Sequence, residues 1–229
     1  MIKPQLVIFE GPDGSGKSTL VADVSKHLSC EHELTRAPGG SQAGEELRGI
    51  LANPELPLSP LTASYLFFAN HVQMLEEILT PAAKAGKIVL TDRLDLSTII
   101  FQGLCYRYQT QKDPLNPIHN EIGNEEFNRH LLMLSQQLHR GIDAYYVFVD
   151  AQDQTLDKRL QKKNSGERFE NLDRLVNTKI REQYRGLSQQ INDEQRAIKV
   201  YTDGTDGTCH EDNVDKVARF IETACARSE

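Results

Sequence analysis

Short apolar runs rich in β-branched residues alternate along the chain with longer segments in which apolar residues recur every three or four positions. The first pattern is typical of buried strands and the second of helices with one apolar face. The runs predict strands at Leu6–Phe9, Lys87–Thr91, Tyr145–Asp150 and Ile198–Thr202, with a weaker strand at His32–Thr35. Because strands and helices alternate, we expect an α/β protein built on a parallel sheet.

Helical periodicity predicts the connections between these strands. The longest helical segment, Pro60–Ala85, has a wide apolar stripe. Most of that stripe suits the protein core, and part of it suits a dimer face equally well. The predicted helices are Lys17–Ser29, Gln42–Leu51, Pro60–Ala85, Glu125–His139, Thr155–Lys163, Asn171–Asn192 and Glu211–Cys225.

Two polar segments interrupt this pattern. Residues Leu104–Gly123 contain Pro114 and Pro117 among polar side chains, which predicts an extended surface loop. Residues 161–170, QKKNSGERFE, are basic and contain a glycine. Such a segment is ordinarily a solvated surface, and it becomes a candidate lid if the protein binds phosphate.

The length, the net charge and the cysteine spacing limit the classes of protein to which this chain can belong. The 229 residues fit one α/β domain, spanning 1–229, and no apolar run is long enough to cross a bilayer. The first residues do not form a signal peptide pattern. The net charge of −7 argues against a nucleic-acid-binding surface. The four cysteines are widely spaced, at Cys30, Cys105, Cys209 and Cys225. This spacing predicts reduced thiols in a cytoplasmic protein and no structural zinc site.

A glycine-rich stretch, EGPDGSGKST at residues 10–19, follows the first predicted strand directly and precedes a helix. The spacing from Gly11 to Ser18 is that of a phosphate-binding loop, and a plain glycine-rich turn is the less specific interpretation. Lys17 is placed to reach the β- and γ-phosphates, and the Ser18 hydroxyl to bind Mg²⁺. The predicted ATP-binding residues are Gly11, Pro12, Asp13, Gly14, Ser15, Gly16, Lys17, Ser18 and Thr19.

A phosphate-binding loop alone is compatible with a GTPase, a motor, a nucleoside kinase or a nucleotide kinase. No guanine-reading N-K-x-D segment is present, which disfavours a GTPase. Asp92 directly follows a predicted strand, where a carboxylate can bind the Mg²⁺ ion beside the loop. The alternative is that Asp92 and Arg93 form an exposed surface pair. Three arginines are candidates to bind a second phosphate. Arg36 and Arg93 each follow a predicted strand, and Arg48 lies on the helix after Arg36.

Six segments together resemble the thymidylate kinase family. They are FEGPDGSGKST, TRAPGG, ELRGIL, YLFFANHVQ, DRLDLSTIIFQG and GERFE, and they extend from about Leu6 to Glu170. The resemblance implies a three-layer P-loop kinase fold with a central parallel five-stranded sheet and a short lid. It implies transfer of a phosphoryl group from ATP, with Mg²⁺, to a deoxypyrimidine monophosphate, most simply dTMP. It also implies a cytoplasmic homodimer that binds neither nucleic acid nor membrane.

The same resemblance assigns roles to individual residues. The residues implied to be catalytic are Lys17, Arg93 and Arg168. Arg168 of the lid is included because Gly14 stands where some relatives have an arginine in the loop, so the lid is implied to supply that guanidinium. Asp13 is implied to accept a hydrogen bond from the sugar hydroxyl. The remaining implied acceptor-nucleotide residues are Arg36, Arg48, Phe67, His71, Arg93, Ser97, Phe101 and Gln102, and the implied metal ligands are Ser18 and Asp92.

Four departures from the family pattern leave the accepted base open. His71 aligns with an arginine that contacts pyrimidine O4, Phe101 with a tyrosine beneath the sugar, and Ala37 with a glutamate. The predicted Leu104–Gly123 loop is also longer than usual. Neutral drift and a base other than thymine, such as uracil or a 5-substituted uracil, both fit. A deoxynucleoside kinase and a non-catalytic nucleotide-binding regulator are the alternative functions.

Overall fold

The computed structural model describes residues 5–112, 123–162, 174–191 and 195–226. Its strands are β1 (Gln5–Glu10), β2 (His32–Arg36), β3 (Ile88–Asp92), β4 (Asp143–Asp150) and β5 (Ala197–Tyr201). They form a parallel five-stranded sheet in the order β2-β3-β1-β4-β5. All five predicted strands are therefore confirmed, with small differences at their ends.

The strand register brings the predicted site residues to one edge of the sheet. Phe9 and Arg36 are both paired with Asp92, and Glu10 is paired with Phe148. Because the strands are parallel, the segments that follow β1, β2 and β3 all emerge at the same carboxyl edge, where ligands bind in open α/β sheets.

Helices cover both faces of the sheet. Leu6 and Ile8 of β1 pack with Met74 on one face, whereas Val7 and Phe9 pack with Leu20 on the other. This alternation makes three layers. The helices are α1 (Lys17–His27), α2 (Gln42–Ala52), α3 (Pro60–Met74), α4 (Thr80–Lys84), α5 (Asp95–Lys112), α6 (Asn124–Leu138), α7 (Asp153–Lys162), α8 (Arg174–Gln190) and α9 (His210–Ala226).

The predicted long helix contains a π-helical turn, Leu75–Leu79, between α3 and α4. Pro81 has no N–H to continue the regular ladder. The backbone N–H of Thr80 instead donates to the carbonyl of Leu75, five residues earlier, and the Thr80 hydroxyl donates to the same oxygen at 2.8 Å. The widened turn thus accommodates the proline while the helical path continues.

Helix α5 is the main element that the sequence pattern did not predict. The expected loop at Leu104–Gly123 is wrong for residues 104–112, which are helical, and residues 113–122 lie outside the described part of the chain. β-branched residues and Gly103 lower the helix propensity of this segment. Packing of Ile100 and Phe101 against Ile180 of α8 supplies the stabilisation that local sequence does not show.

The structure has no disulfide among Cys30, Cys105, Cys209 and Cys225. Within the described ranges, no helix combines the length and the hydropathy that a bilayer crossing requires.

Candidate active site

The loop between β1 and α1 has the backbone conformation of an anion cradle. A Cβ atom at Gly11 would clash with the carbonyl oxygen of Val149, so only glycine fits at this close approach to β4. Gly16 occupies the N-cap of α1 with a φ of 90°, a conformation that glycine adopts without strain. Helix α1 begins directly after the loop, so its first backbone N–H groups, which have no acceptor within the helix, adjoin the loop.

Lys17 is buried inside this loop. Its Nζ donates to the carbonyls of Gly11 and Pro12 at 2.9 Å and 2.8 Å. Burial, reinforced by the positive charge of Arg93, lowers the pKa of Lys17 to about 8. The amine is therefore held against the loop backbone, and its charged form is only weakly favoured as long as no phosphate is bound.

Ser18 and Asp92 form a candidate magnesium site. The Ser18 hydroxyl donates to Asp92 Oδ2 at 2.5 Å, which joins the start of α1 to the end of β3. Asp92 Oδ1 is buried and has no hydrogen-bond partner among the described residues. One hydroxyl and one unsatisfied carboxylate oxygen suit Mg²⁺, which typically takes few protein ligands and completes its shell with water and phosphate. No described group of three or more His, Cys, Asp or Glu residues offers an alternative metal site.

Arg93 follows β3 directly in a backbone conformation with φ of 72°, which non-glycine residues rarely adopt. Its Nη2 forms an ion pair with Asp13 Oδ1 at 2.5 Å, and its guanidinium carbon lies 5.4 Å from the centre of the Phe101 ring. Burial alone would lower the pKa of Arg93, but nearby carboxylates, Asp13 foremost, raise it further above its usual range. Arg93 is therefore a permanent, fixed cation.

A single cleft of about 640 Å³ contains most of the predicted site residues. One part of its wall comes from the phosphate-binding loop and the metal site: Asp13, Gly14, Gly16, Lys17, Ser18, Thr19 and Asp92. The other part carries the predicted acceptor residues Arg36, Arg48, Phe67, Arg93, Ser97 and Phe101. The structure therefore brings donor and acceptor candidates into one continuous space.

Comparisons with known proteins agree with this geometry. The sequence model described as thymidylate kinase matches residues 9–113. The thymidylate kinase of Chlamydia felis is 34% identical over 191 residues, which cover 80% of this chain and 83% of that protein. The chain belongs to the thymidylate kinase family. The thymidylate kinase of Kosmotoga olearia is 46% identical over a shorter alignment of 100 residues, which covers 42% of this chain and 48% of that protein.

The fold is also that of a solved thymidylate kinase. The structure of the Candida albicans enzyme matches with a TM-score of 0.65 at 22% identity, covering 99% of this chain and 94% of that one. This likeness confirms the three-layer fold and its five-stranded parallel sheet.

Two residues that the family resemblance placed at the base edge do not line the cleft. His71 has no exposed surface, and neither ring nitrogen has a hydrogen-bond partner among the described residues. Burial lowers the pKa of His71 to about 4, so its ring is neutral at physiological pH. Gln102 is likewise buried, with an unpartnered side-chain nitrogen. Their roles in base recognition stay predictions, as does that of Arg168, which lies outside the described residues with the lid from position 163 onward.

The contacts that Glu10, Tyr184 and Arg159 make around the site were not predicted. Glu10 ends β1 and accepts hydrogen bonds from the backbone N–H groups of Leu94, just before α5, and Ser97. The hydroxyl of Tyr184, on α8, accepts a hydrogen bond from Arg93 at 3.0 Å. Arg159 of α7 lines the cleft and donates to the Gly14 carbonyl at 3.0 Å. An acidic residue ending an otherwise apolar strand is a signal that could have pointed to Glu10. No local signal marks Tyr184, which is 91 positions from Arg93.

Proposed function

We propose that this protein transfers the γ-phosphoryl group of ATP to dTMP, which yields dTDP and ADP. Membership of the thymidylate kinase family makes it a nucleoside monophosphate kinase, a transferase. The observation that carries the proposal is the single cleft in which Lys17 and the Ser18–Asp92 pair share a wall with Arg36, Arg48 and Arg93. A transferable phosphate and a second, anionic nucleotide therefore fit side by side.

The donor half of the cleft binds a triphosphate through backbone N–H groups and Lys17. When Mg²⁺ is bound, it neutralises charge on the β- and γ-phosphates. Ser18 and Asp92 would hold the ion, and they already lie in contact across the sheet edge. Lys17 is placed to stabilise the charge that spreads over the transferred group.

The acceptor half supplies alignment rather than a base. An oxygen of a nucleoside monophosphate is already anionic near neutral pH, so phosphoryl transfer needs no proton acceptor at the nucleophile. Arg93 is fixed by Asp13, and Arg36 and Arg48 line the same cleft. Phe67 and Phe101 add aromatic surface there, which suits a pyrimidine ring and the sugar beneath it.

The arginines also favour a nucleotide acceptor over a nucleoside. A nucleoside kinase must activate a neutral hydroxyl, which requires a free carboxylate base. Asp13 is a carboxylate in the cleft, but its Oδ1 is engaged by Arg93. Three guanidinium groups line this cleft, and they suit the two negative charges of a monophosphate.

An acceptor panel tests the proposal. Release of ADP from Mg-ATP is measured with dTMP, dUMP, 5-substituted dUMPs, dCMP, purine monophosphates and thymidine as acceptors. We expect dTMP to be phosphorylated efficiently and thymidine not at all. Thymidine as the preferred acceptor would indicate a nucleoside kinase, and no acceptor-dependent ADP release would indicate a regulator.

The protein is proposed to act as a homodimer through α3. Tyr65, Ala69 and Val72 form an exposed stripe along this helix, and the two larger residues are 51% and 46% exposed. Val72→Arg should therefore give a monomer in light scattering coupled to gel filtration. Lys26→Glu, an exposed charge change on α1, is the control that should leave the dimer intact. A monomeric wild-type protein would contradict the proposal.

A further inference from the structure

A buried cluster of Glu10, Ser97 and Tyr184 lies directly behind Arg93. Glu10 has no exposed surface and Tyr184 is 3% exposed. The Ser97 hydroxyl donates to Glu10 Oε2 at 2.5 Å, and the Tyr184 hydroxyl lies 3.2 Å from the same oxygen and 2.7 Å from Ser97 Oγ. Each residue comes from a different element, namely β1, α5 and α8.

Glu10 also joins β1 to the start of α5. Its Oε1 accepts hydrogen bonds from the backbone N–H groups of Leu94 at 3.0 Å and Ser97 at 3.2 Å. These are orphan donors at a helix N-terminus, where a carboxylate is favourable. Glu10 immediately precedes the phosphate-binding loop, and Arg93 immediately precedes Leu94. The cluster therefore ties the donor loop to the segment that carries Arg93.

The cluster fixes one end of the Arg93 guanidinium. Nη1 lies 2.8 Å from Ser97 Oγ, 3.0 Å from Tyr184 Oη and 3.1 Å from the carbonyl oxygen of Gly11. The hydrogen bonds have a consistent direction, because the guanidinium donates to hydroxyl oxygens whose own hydrogens point toward Glu10. An arginine side chain has many rotamers, and this set of acceptors selects one of them.

Glu10 and Tyr184 themselves do not line the cleft, whereas Arg93 does. We propose that Tyr184 and Glu10 are positioning residues, which hold the Arg93 guanidinium in the orientation required when charge moves between the two phosphates. They act through Arg93 and contact neither nucleotide. The inference rests on the proposed function for its kinetic consequence only, since the hydrogen bonds to Arg93 exist independently of any substrate.

The kinetic test uses Tyr184→Phe, which removes one hydroxyl and keeps the ring. We expect kcat to fall about tenfold, the effect of one hydrogen bond to a charged group, with the KM for dTMP changed less than about twofold. Tyr145→Phe is the matched control, because Tyr145 is a buried tyrosine of β4 that packs against Phe220 away from the cleft. It should retain wild-type kinetics. Glu10→Gln should reproduce the Tyr184→Phe pattern.

A double-mutant cycle separates positioning from a general structural role. If Tyr184 acts through Arg93, Tyr184→Phe should cost less than about twofold in the residual activity of an Arg93→Ala protein. Full additivity of the two losses would overturn the inference. So would wild-type kcat in Tyr184→Phe, or an equal loss in Tyr145→Phe.

A spectroscopic measurement decides the inference even if the proposed function fails. The Arg93 side-chain ¹⁵Nη–¹H resonances, identified by their loss in Arg93→Lys, should exchange slowly with solvent in the wild-type protein and faster in Tyr184→Phe, because the Tyr184 hydroxyl accepts from Nη1. Absence of dTMP phosphorylation in the wild type would refute the function alone. Unchanged exchange in Tyr184→Phe would refute the positioning role alone.

Discussion

Raising the pH should titrate Lys17 in the free enzyme and weaken the capture of Mg-ATP. The amine is buried, and burial together with Arg93 lowers its pKa to about 8. The ratio kcat/KM reports the ionisation of the free enzyme, whereas kcat reports that of the complex. Since a neutral amine offers no charge to phosphate, kcat/KM for Mg-ATP should have a descending limb near pH 8.

The size of the effect follows from that pKa. With a pKa of about 8, the charged fraction of Lys17 falls from about 0.9 at pH 7 to about 0.1 at pH 9. We therefore expect kcat/KM for Mg-ATP to fall about tenfold over this interval, with a slope of −1 beyond it. The kcat profile should stay flat to higher pH, because bound phosphates favour the charged amine and raise its pKa.

The assay is ADP release at saturating dTMP and fixed free Mg²⁺, paired with calorimetric titration of Mg-ATP. Lys17→Ala is the control, since its weak Mg-ATP affinity should not change between pH 7 and pH 9. The affinity of the wild-type protein should approach that of Lys17→Ala as the pH rises. A flat kcat/KM profile up to pH 10, or the same descending limb in both proteins, would refute the assignment.

Three further predictions concern stability, metal and acceptor binding. Lys17→Met should raise the free energy of unfolding of the unliganded protein at pH 7 by at most about 3 kcal/mol, because the pKa of Lys17 is lower in the folded than in the unfolded state. This gain should shrink as the pH rises from 8 to 10, where the unfolded state still binds the proton that the folded state has lost. Urea unfolding that shows a loss of stability at pH 7 would contradict the prediction. Asp92→Asn and Ser18→Ala should each raise the Mg²⁺ concentration for half-maximal activity about tenfold or more, and an unchanged Mg²⁺ titration would remove the Ser18–Asp92 pair from the metal site. Arg36→Ala should mainly raise the KM for dTMP, whereas Arg168→Ala should mainly lower kcat by about 10²-fold; identical effects of the two changes on the kinetic constants would show that the lid assignment is wrong.

The parts of the fold that depend on local patterns were predictable from sequence. Strands β1, β3 and β4 are short apolar runs whose composition predicts that they are buried. The phosphate-binding loop follows from the spacing of its glycines and lysine. Once the strands were taken as parallel, Arg36, Asp92 and Arg93 were expected at one edge of the sheet, and the register of β2 and β3 places them there.

The parts that depend on contacts distant in sequence were not predictable. Helix α5 begins at N–H groups bonded to Glu10, which is more than eighty positions earlier in the chain. Tyr184 lies on a helix whose pattern indicates only an apolar face, and its hydroxyl matters because α8 packs against α5. The burial of His71 has the same origin, since its helix gives no local sign that this position faces the interior with Phe68 beside it.

The different kinetic roles expected for Arg36 and Arg93 follow from the depth of their ion pairs. Arg36 and its partner Glu45 are 54% and 46% exposed, and such pairs contribute little because water competes for both charges. An incoming phosphate can therefore replace Glu45 at small cost, which suits an anchor for ground-state binding. Arg93 and Asp13 are only 16% and 26% exposed, and the same guanidinium is held by the Ser97 and Tyr184 hydroxyls. A cation restrained in this way cannot follow the substrate, so its contribution is greatest where charge develops during transfer.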